Sequence, residues 1–436
     1  MKTVLMAGGK GTRIGSIASD IPKPLVKIEG MPILERELYC LKEQGFTDLI
    51  ITVSHMADQI MAYFGDGRKF GVTIEYYIEN EPLGNAGALF RLRDKLTDDF
   101  LLLNADVLFD IDFNRFVRYH KESGGWVTLF THPNSHPYDS GLIISDENGA
   151  VVNWLTKEDS RPAWYANRVN AGLHVINPAV LEASGIASER VGQEMDGKPC
   201  KVDLDRDLLK PLCGTGRMFC YDSPEYVKDM GTPDRYRAVC ADFKNGVVAA
   251  KSLKNKQKAI FIDRDGTINR YVGFLRDINL FELLPGVADA IKAINASGYL
   301  AIVASNQPVI ARGEVTVEKL ESIHHKMETL LGAEGAYVDA IYYCPHHPHK
   351  GFAGEVAELK FDCECRKPKP GMLLQAAARY NIDLTASWMI GDSENDIKAG
   401  IAAGCKTALI GDGDFHQTVS VRSLQDFCKK LFNDEI

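Results

Sequence analysis

Two carboxylates stand two positions apart directly after an apolar segment near the middle of the 436-residue chain. In the string IFIDRDGTIN (residues 260–269) the apolar run ends at Asp263, and Asp265 follows two residues later. Such a run is typical of a buried central strand of a parallel sheet, and ligands of these sheets bind just beyond the carboxyl ends of the strands. There Asp263 could attack a phosphate and carry it as an aspartyl-phosphate, Asp265 could protonate the leaving oxygen, and Mg²⁺ would neutralise the crowded anions. The alternative is a strand followed by an acidic surface turn.

The string DRDGT resembles the first motif of the haloacid dehalogenase superfamily of phosphatases, and later segments fit the same pattern. A second apolar strand, Leu300–Ala304, ends in Ser305, whose hydroxyl could hydrogen-bond a transferring phosphoryl group. A third, Trp388–Gly391, ends in an acidic segment. The resemblance implies that Lys367 binds both the phosphate and the nucleophile, and that Mg²⁺ is held by Asp263, Asp265 and Asp392.

Cysteine and histidine pairs surround a short loop in the same half of the chain. Cys344 and His346 form a C-x-H pair, and Cys363 and Cys365 form a C-x-C pair after 16 further residues. Zinc prefers four sulfur or imidazole ligands in a tetrahedron, and four protein ligands make a closed, structural site. We therefore predict structural zinc here; the alternative is a group of buried free cysteines.

Together these motifs resemble one branch of the superfamily, the D-glycero-D-manno-heptose 1,7-bisphosphate 7-phosphatases, over about residues 258 to 412. The strings that carry the resemblance are DRDGTIN, SNQ, IARG, CPHHP, CRKPKPGM and GDSENDI. The resemblance implies sugar-phosphate contacts from Asn306, Gln307, Arg312 and Arg366. Histidinol-phosphate phosphatases share the zinc loop and are the alternative. Pro308 departs from the pattern of the heptose enzymes, so substrate choice could be altered.

A glycine-rich loop follows the first apolar strand, Thr3–Ala7. The loop reads GGKGTR (residues 8–13), and its glycines let the backbone approach a ligand and turn N–H groups toward phosphates. Its spacing fits neither the P-loop nor the GxGxxG pattern. About ten residues later, Pro22 and Pro24 hold Lys23 in a stiff extended segment.

The string AGGKGTR followed by PKPLV resembles the sugar-1-phosphate nucleotidylyltransferases, and four further motifs continue the resemblance to about residue 240. These motifs are EPLGNAG (81–87), NAD (104–106), NAG (170–172) and DMGTP (229–233). The resemblance implies that Arg13 and Lys23 are catalytic and steady the triphosphate, and that Asp106 and Asp229 hold Mg²⁺. It further implies nucleotide contacts from Gly8, Gly9, Gly11, Thr12, Pro82, Gly84 and Gly87, and sugar-phosphate contacts from Lys157, Asn170 and Gly172.

Two residues depart from the pattern of the nucleotidylyltransferases. Ala105 replaces the usual glycine of the second metal motif. Lys157 lies in an unusual sequence context, so a solvated surface lysine is an equal alternative for it.

Composition restricts the classes of partner. The formal net charge of −9 argues against a nucleic-acid-binding surface, and no apolar run approaches the roughly 20 residues that span a bilayer. The N-terminal apolar segment is too short for a signal peptide, and the ten cysteines are irregularly spaced outside the cluster. We predict a cytoplasmic protein that acts on small molecules, with neither nucleic-acid nor membrane partners; the sequence gives no indication of oligomeric state.

The predicted fold class is α/β with two Rossmann-like domains. Residues 1–243 would form a mixed-sheet nucleotidylyltransferase domain, and residues 258–436 a parallel-sheet domain of the haloacid dehalogenase type with a zinc loop. Residues 244–257, with lysines among Gly, Asn, Ser and Gln, would form a linker with little packing of its own.

The two halves predict one function together. Removing the 7-phosphate of a heptose 1,7-bisphosphate leaves a heptose 1-phosphate, which is the type of substrate that a nucleotidylyltransferase needs. We therefore predict a bifunctional enzyme of nucleotide-activated heptose biosynthesis. The first half most resembles heptose 1-phosphate guanylyltransferases, so GTP is the first choice, with ATP, CTP and UTP open. The alternatives are a mannose 1-phosphate guanylyltransferase fused to a histidinol-phosphate-type phosphatase, or a chain in which one half is a regulatory pseudoenzyme.

Overall fold

The computed structural model describes residues 1–9, 20–81, 83–195 and 198–436. The chain forms two compact units. Unit 1 comprises Met1–Thr131, Ile143–Leu155 and Asn170–Ala249, and unit 2 comprises His132–Leu142, Thr156–Val169 and Ala250–Ile436. The units therefore alternate along the sequence, and the predicted domain ranges 1–243, 244–257 and 258–436 stay predictions.

The first part of the chain contains fifteen strands and seven α-helices among its described residues. The strands are β1 (Thr3–Met6), β2 (Lys27–Ile28), β3 (Met31–Pro32), β4 (Asp48–Val53), β5 (Thr73–Ile78), β6 (Phe100–Asn104), β7 (Val107–Asp110), β8 (Val127–His132), β9 (Leu142–Ser145), β10 (Val151–Leu155), β11 (Val169–Ile176), β12 (Glu194–Met195), β13 (Lys198–Pro199), β14 (Met218–Asp222) and β15 (Tyr226–Asp229). The helices are α1 (Ile33–Glu43), α2 (Ala57–Phe64), α3 (Gly87–Arg91), α4 (Phe113–Ser123), α5 (Ala179–Ala183), α6 (Pro233–Lys244) and α7 (Val247–Ala250).

Unit 1 is organised around a nine-stranded mixed sheet. β1 is parallel to β4 and to β6, whereas β6 is antiparallel to β11. Leu5 and Leu103 join the apolar cluster on one face of this sheet, and Val4 and Leu102 join the cluster on the other face. Burial on both faces explains why these strands are continuous apolar runs rather than alternating ones. The predicted mixed sheet is confirmed.

The second part of the chain contains six strands and five α-helices. The strands are β16 (Lys258–Ile262), β17 (Tyr299–Asn306), β18 (Ala340–Cys344), β19 (Trp388–Gly391), β20 (Lys406–Ile410) and β21 (Val419–Val421). The helices are α8 (Val287–Asn295), α9 (Val317–Ala333), α10 (Gly371–Tyr380), α11 (Glu394–Ala403) and α12 (Leu424–Phe432).

Unit 2 contains a six-stranded, entirely parallel sheet in the order β18-β17-β16-β19-β20-β21. β16 lies inside the sheet between β17 and β19, so the chain crosses from one side of β16 to the other. Such a reversal of strand order opens a crevice at the carboxyl ends of the strands. Asp263, Ser305 and Asp392 all lie at that edge, and the predicted parallel sheet is confirmed.

The segment Thr156–Val169 packs against helix α9 of unit 2. The hydroxyl of Thr329 accepts a hydrogen bond from the backbone N–H of Tyr165 at 2.9 Å. Arg168 forms an ion pair with the buried Glu328 at 3.2 Å. These contacts assign Thr156–Val169 to unit 2, although this segment precedes β16 by about ninety residues of sequence.

The junction of the chain is packed, so the prediction of little packing in residues 244–257 is wrong. Val247 and Val248 are 4% and 5% exposed, and Leu253 and Gln257 are equally buried. The Gln257 side chain donates a hydrogen bond to the Ser252 carbonyl oxygen at 2.6 Å. Most lysines of this segment are exposed, and their number concealed the buried apolar positions between them.

No helix in the described ranges combines the length and the apolar character that a membrane crossing requires.

We expect Leu253→Ala to lower the free energy of unfolding of unit 2 by about 2–4 kcal/mol, because it removes a buried leucine side chain from a packed cluster. The exposed neighbour Lys256 provides the control, and Lys256→Ala should change stability by less than about 0.5 kcal/mol. Urea unfolding followed by tryptophan fluorescence measures both. Equal, small effects of the two substitutions would contradict a packed junction.

Candidate active sites and metal cluster

The carboxylates at the edge of the unit 2 sheet form a compact group. Asp263 follows β16, Asp392 lies between β19 and α11, and Asp396 is in the first turn of α11. One carboxylate oxygen from each lies within 4.8 Å of the others. A Cβ on Gly266 would lie 2.0 Å from Asp392 Oδ2, and the φ of Gly266 is +90°, so only glycine allows this approach.

Lys367 is the buried cation of this group. Its Nζ donates hydrogen bonds to Asp263 Oδ1 at 2.6 Å, Asp396 Oδ1 at 2.5 Å and the Ala304 carbonyl oxygen at 2.7 Å. Burial raises the pKa of Asp263 to about 7, and Lys367 opposes this shift while Asp396 adds to it. Burial would lower the pKa of Lys367, but Asp263 and Asp396 outweigh it and raise that pKa. The arrangement keeps a buried carboxylate beside a fixed positive charge.

Asp265 is held by hydrogen-bond donors on both of its carboxylate oxygens. Asn269 Nδ2 donates to Oδ1 at 3.0 Å, and Gln307 Nε2 donates to Oδ2 at 2.9 Å. Arg264 Nη2 lies 3.1 and 2.8 Å from the two oxygens. Asp265 is thus brought to the same edge as Asp263, but it is fixed by partners of its own.

The residues of the SNQ motif contact one another and the loop that carries Lys367. Gln307 Nε2 also donates to Ser305 Oγ at 2.8 Å. The Asn306 side chain brackets the backbone of Lys367, because its Nδ2 donates to the carbonyl oxygen at 2.9 Å and its Oδ1 accepts from the N–H at 3.0 Å. Asn306 therefore supports the lysine that contacts Asp263.

A cavity of about 240 Å³ opens beside these residues. Its lining includes Asp263, Asp265, Ser305, Asn306, Gln307, Arg366 and Lys367, which were all predicted, together with Tyr271, Phe274, Ser393 and Asn395, which were not. Arg312 has another environment: its guanidinium lies between the rings of Phe274 and Phe352, 4.1 and 4.3 Å from their centroids, and pairs with Glu314 at 2.8 Å. Arg312 thus supports a wall of the cavity through Phe274.

The four predicted metal ligands Cys344, His346, Cys363 and Cys365 converge in unit 2. The sulfur atoms of the three cysteines are 3.2 to 3.4 Å apart. His346 Nδ1 lies 3.2 Å from Cys365 Sγ and 3.6 Å from Cys344 Sγ. Four donor atoms at these separations can hold one metal ion. The cluster ends two residues before Lys367.

In unit 1, Lys23 and Asp106 form the centre of a second candidate site. Lys23 Nζ lies 2.8 Å from Asp106 Oδ2, and both side chains are partly exposed. The register of β1 and β6 pairs Met6 with Asn104, which brings Gly8 and Gly9 and the loop of Asp106 to one edge of the sheet. Gly11, Thr12, Arg13 and Pro82, also predicted here, lie outside the described residues.

Asp229 is adjacent to Asp106 through strand pairing. β15 is antiparallel to β7 with Asp229 opposite Val107, and the Met230 N–H donates to the Asp106 carbonyl oxygen at 3.3 Å. The carboxylate of Asp229 accepts from the Gly231 N–H at 2.7 Å and pairs with Arg235 at 2.9 Å. Two carboxylates from neighbouring strand ends thus approach the same edge, each beside a cation.

The remaining predicted residues of the first half occupy three places. The carboxamide of Asn170 accepts from the Gly172 N–H at 3.2 Å and contacts the ring of His174 at 3.1 Å. Gly84 has a φ of +84° and packs against the Val202 backbone, and Gly87 begins α3. Lys157 is exposed in the segment Thr156–Val169, which belongs to unit 2.

Glu79 is a residue that the sequence analysis did not single out. It follows β5, and a Cβ on Gly8 would lie 3.4 Å from its Oε1, so its carboxylate borders the glycine loop. Burial raises the pKa of Glu79 to about 7. The signal in the sequence was its position immediately after a strand and two residues before the EPLGNAG motif begins at Glu81.

Comparison with known proteins gives matches to both parts of the chain. A nucleotidyl transferase family model matches residues 2–245, and a HAD-hydrolase-like family model matches residues 364–426. The D-glycero-beta-D-manno-heptose-1,7-bisphosphate 7-phosphatase of Yersinia pestis is 44% identical over 152 residues, which cover 35% of this chain and 79% of that protein. The UTP–glucose-1-phosphate uridylyltransferase of Synechocystis sp. is 32% identical over 273 residues, covering 59% of this chain and 66% of that protein.

Among solved structures, HddC from Yersinia pseudotuberculosis matches 56% of this chain and 99% of its own, with 26% identity and a TM-score of 0.46. The family matches agree with the resemblances predicted from the motifs of the two halves.

We expect the protein purified without chelators to carry about one tightly bound metal ion at the cysteine cluster, and Cys365→Ser to lose it, because a thiolate ligand is removed from a four-residue site. Elemental analysis of the purified proteins measures the metal content. Cys405→Ser is the matched control, since Cys405 is buried outside the cluster. Metal retained by Cys365→Ser at the level of the control would contradict the assignment.

Proposed function

The chain belongs to the nucleotidyl transferase family through residues 2–245, and from this premise we propose that it is a bifunctional enzyme of nucleotide-activated heptose biosynthesis. One site hydrolyses the 7-phosphate of D-glycero-D-manno-heptose 1,7-bisphosphate. The other transfers a nucleotidyl group, GMP from GTP as first choice, to heptose 1-phosphate and releases pyrophosphate. The observation that carries the proposal is the presence in one chain of this family and of a segment 44% identical to a heptose bisphosphate phosphatase. The product of the phosphatase is the type of substrate that the transferase uses.

In the phosphatase reaction, Asp263 is the nucleophile. Its carboxylate oxygen forms a bond to phosphorus while the bond from phosphorus to the sugar oxygen breaks, and Asp265 gives a proton to that oxygen. In the second step Asp265 takes a proton from water, the water oxygen bonds to phosphorus, and Asp263 is released. The hard oxygen donors of Asp263 and Asp392, which lie within 4.8 Å of each other, fit Mg²⁺, which would neutralise the phosphoryl charge. The side chain of Asp265, which was also predicted as a ligand, is instead engaged by Arg264, Asn269 and Gln307.

In the transferase reaction, the attacking group belongs to the substrate. A phosphate oxygen of heptose 1-phosphate attacks the α-phosphorus, and pyrophosphate leaves in line, so the protein acts mainly by positioning and charge neutralisation. Asp106 and Asp229 fit Mg²⁺, since this ion is commonly held by one or two carboxylates together with substrate phosphates. Lys23 stands beside Asp106 and supplies fixed positive charge.

Glu79 supports guanine as the base. Its carboxylate only accepts hydrogen bonds when ionised, and guanine presents N1–H and N2–H as two adjacent donors on one edge. Adenine, cytosine and uracil lack such a pair. Because Glu79 borders the glycine loop and is half buried, its two oxygens could satisfy both donors of guanine in a partly water-excluded place.

Zinc is our proposal for the cysteine cluster. A tetrahedral ion with Zn–S bonds of about 2.3 Å places ligand atoms roughly 3.8 Å apart, a few tenths of an ångström more than the separations in this structure. Three thiolates and one imidazole favour zinc over Mg²⁺. With all four positions taken by protein, the ion would be structural and would fix the loop before Lys367. A cytoplasmic location and small-molecule substrates complete the proposal.

We expect Asp263→Asn to reduce phosphate release from the heptose bisphosphate by at least about a thousandfold, because the isosteric amide cannot act as nucleophile. Nucleotidyl transfer to supplied heptose 1-phosphate should remain within about twofold. Phosphate and pyrophosphate are assayed separately. Asp106→Asn is the matched reciprocal variant and should lose transfer while keeping phosphate release. Parallel loss of both activities in either folded variant would contradict two separate sites.

We expect Glu79→Gln to lower kcat/KM for GTP by about ten- to a hundredfold, because an amide replaces one acceptor with a donor opposite guanine. The rates with ATP and UTP should change by less than about threefold, so the preference for GTP narrows. Glu75→Gln, at an exposed position of the preceding strand β5, is the control. A GTP preference that survives Glu79→Gln would remove Glu79 from base recognition.

A further inference from the structure

A buried arginine connects the proposed acid of the phosphatase to helix α9, which is distant from it in sequence. Arg264 has no exposed surface, and its Nη2 contacts both oxygens of Asp265 and also Gln307 Oε1 at 3.1 Å. On its other edge, Arg264 Nη1 lies 3.1 Å from Nε2 of His324, which is on α9. The guanidinium is therefore held between the acid and one imidazole.

The chemistry of the two groups fixes the direction of this contact. A guanidinium has five N–H donors and no acceptor, so Nε2 of His324 must present its lone pair. His324 is consequently neutral with its proton on Nδ1. It is 5% exposed and packs against the ring of Tyr343, at 5.5 Å between ring centroids. Burial and the charge of Arg264 lower the pKa of His324 well below its usual range, in agreement with the neutral form.

From this geometry we infer that His324 is a positioning residue for the phosphatase reaction, which acts through Arg264 to aim the carboxyl group of Asp265 at the leaving oxygen. The inference rests on the phosphatase activity proposed above. Asp265 must place its proton on an oxygen that departs from phosphorus, and this requires a fixed orientation within hydrogen-bond reach. Arg264 is the charged donor among the three side chains that hold Asp265.

The contacts of Arg264 with Asp265 and Gln307 all involve Nη2, so His324 is the partner that holds the other side of the guanidinium. In the described parts of the chain, Arg264 Nε has no hydrogen-bond partner. Removal of the His324 acceptor would leave a further buried N–H without a partner, and such a group is costly to bury. The guanidinium would then rotate toward any remaining acceptor, and Asp265 would lose the geometry that its two-oxygen contact provides. The competing explanation is that His324 only fills space under α9.

The two explanations differ in their dependence on the leaving group. An alkoxide is a poor leaving group that needs a proton as the bond to phosphorus breaks, whereas 4-nitrophenolate leaves without one. A misplaced Asp265 therefore slows the first step for a sugar phosphate and spares it for 4-nitrophenyl phosphate. A general defect of folding or of Asp263 slows both alike.

The test uses the full-length protein and measures the first chemical step alone. Single-turnover cleavage of the heptose bisphosphate and the burst of 4-nitrophenolate are compared for wild type, His324→Asn and His324→Gln. General acid catalysis contributes about 10²- to 10⁴-fold, so we expect His324→Asn, whose shorter amide does not reach Arg264, to lose about a hundredfold on the sugar phosphate and less than threefold on the aryl phosphate. His324→Gln, whose longer amide can still accept from Arg264, should recover to within about fivefold of wild type.

Two controls keep the outcomes separate. His325→Leu changes the neighbouring histidine of α9 and should leave both rates within about twofold. The nucleotidyl transfer rate and the melting temperature of each variant report on folding. Equal losses on both substrates, or no loss on the sugar phosphate, would overturn the role of His324. If the wild type does not hydrolyse the heptose bisphosphate, the proposed function fails, and any alkyl phosphate that it does hydrolyse still tests His324.

Discussion

The ion pair between Asp263 and Lys367 is the interaction on which the phosphatase part of the molecule depends. A carboxylate can attack phosphorus only when it is ionised, and burial opposes ionisation, here enough to raise the pKa of Asp263 to about 7. The ammonium of Lys367 at 2.6 Å counteracts that shift. A buried lysine is itself unfavourable unless carboxylates surround it, and Asp263 with Asp396 do so. The proposed nucleophile and the cation therefore stabilise each other in the interior.

Several separate features of the fold serve to hold Lys367 in that place. The side chain of Asn306 clamps its backbone from the end of β17. Asp396, its second carboxylate, is fixed by the cap of α11, where it accepts from Ser393 N and Oγ at 3.0 and 2.6 Å. The cysteine cluster closes the loop just before it. Three separate elements thus position Lys367: one holds its backbone, one contacts its ammonium group, and one closes the chain just before it.

The sequence was informative wherever chemistry lies at strand ends. Runs buried on both faces are continuous and apolar, so β16, β17 and β19 could be located, and the residues that follow them meet at one edge because parallel strands share it. The cysteine cluster could also be predicted from the sequence, since its ligands come in two close pairs. The role of His324 could not be predicted from the sequence. Nothing in an amphipathic helix distinguishes a histidine that contacts Arg264, 60 residues away, from one that fills the core.

Two other features were hidden for related physical reasons. Glu79 precedes a motif rather than belonging to one. Its interest as a site residue comes from its proximity to Gly8, which follows a different strand. The contacts of Tyr165 and Arg168 with α9 depend on tertiary packing between segments far apart in sequence, which periodicity does not record. The polar composition of residues 244–257 likewise concealed buried positions such as Leu253. Exposed lysines between the buried apolar residues lower the average hydrophobicity of the segment, although the apolar residues still pack.

The two candidate sites differ in a way that follows from the origin of the attacking group. In the proposed phosphatase reaction the protein supplies the nucleophile, and the side chain of Asp263 is only 11% exposed, desolvated, and given an internal counter-ion. In the proposed transferase reaction the substrate brings its own phosphate oxygen, and the carboxylates would need only to share a cation with phosphates that arrive from solvent. Asp106 accordingly keeps 31% of its side chain exposed beside Lys23. A buried carboxylate there would gain no reactivity and would add repulsion against an incoming triphosphate, so the accessible position is the one that this chemistry favours.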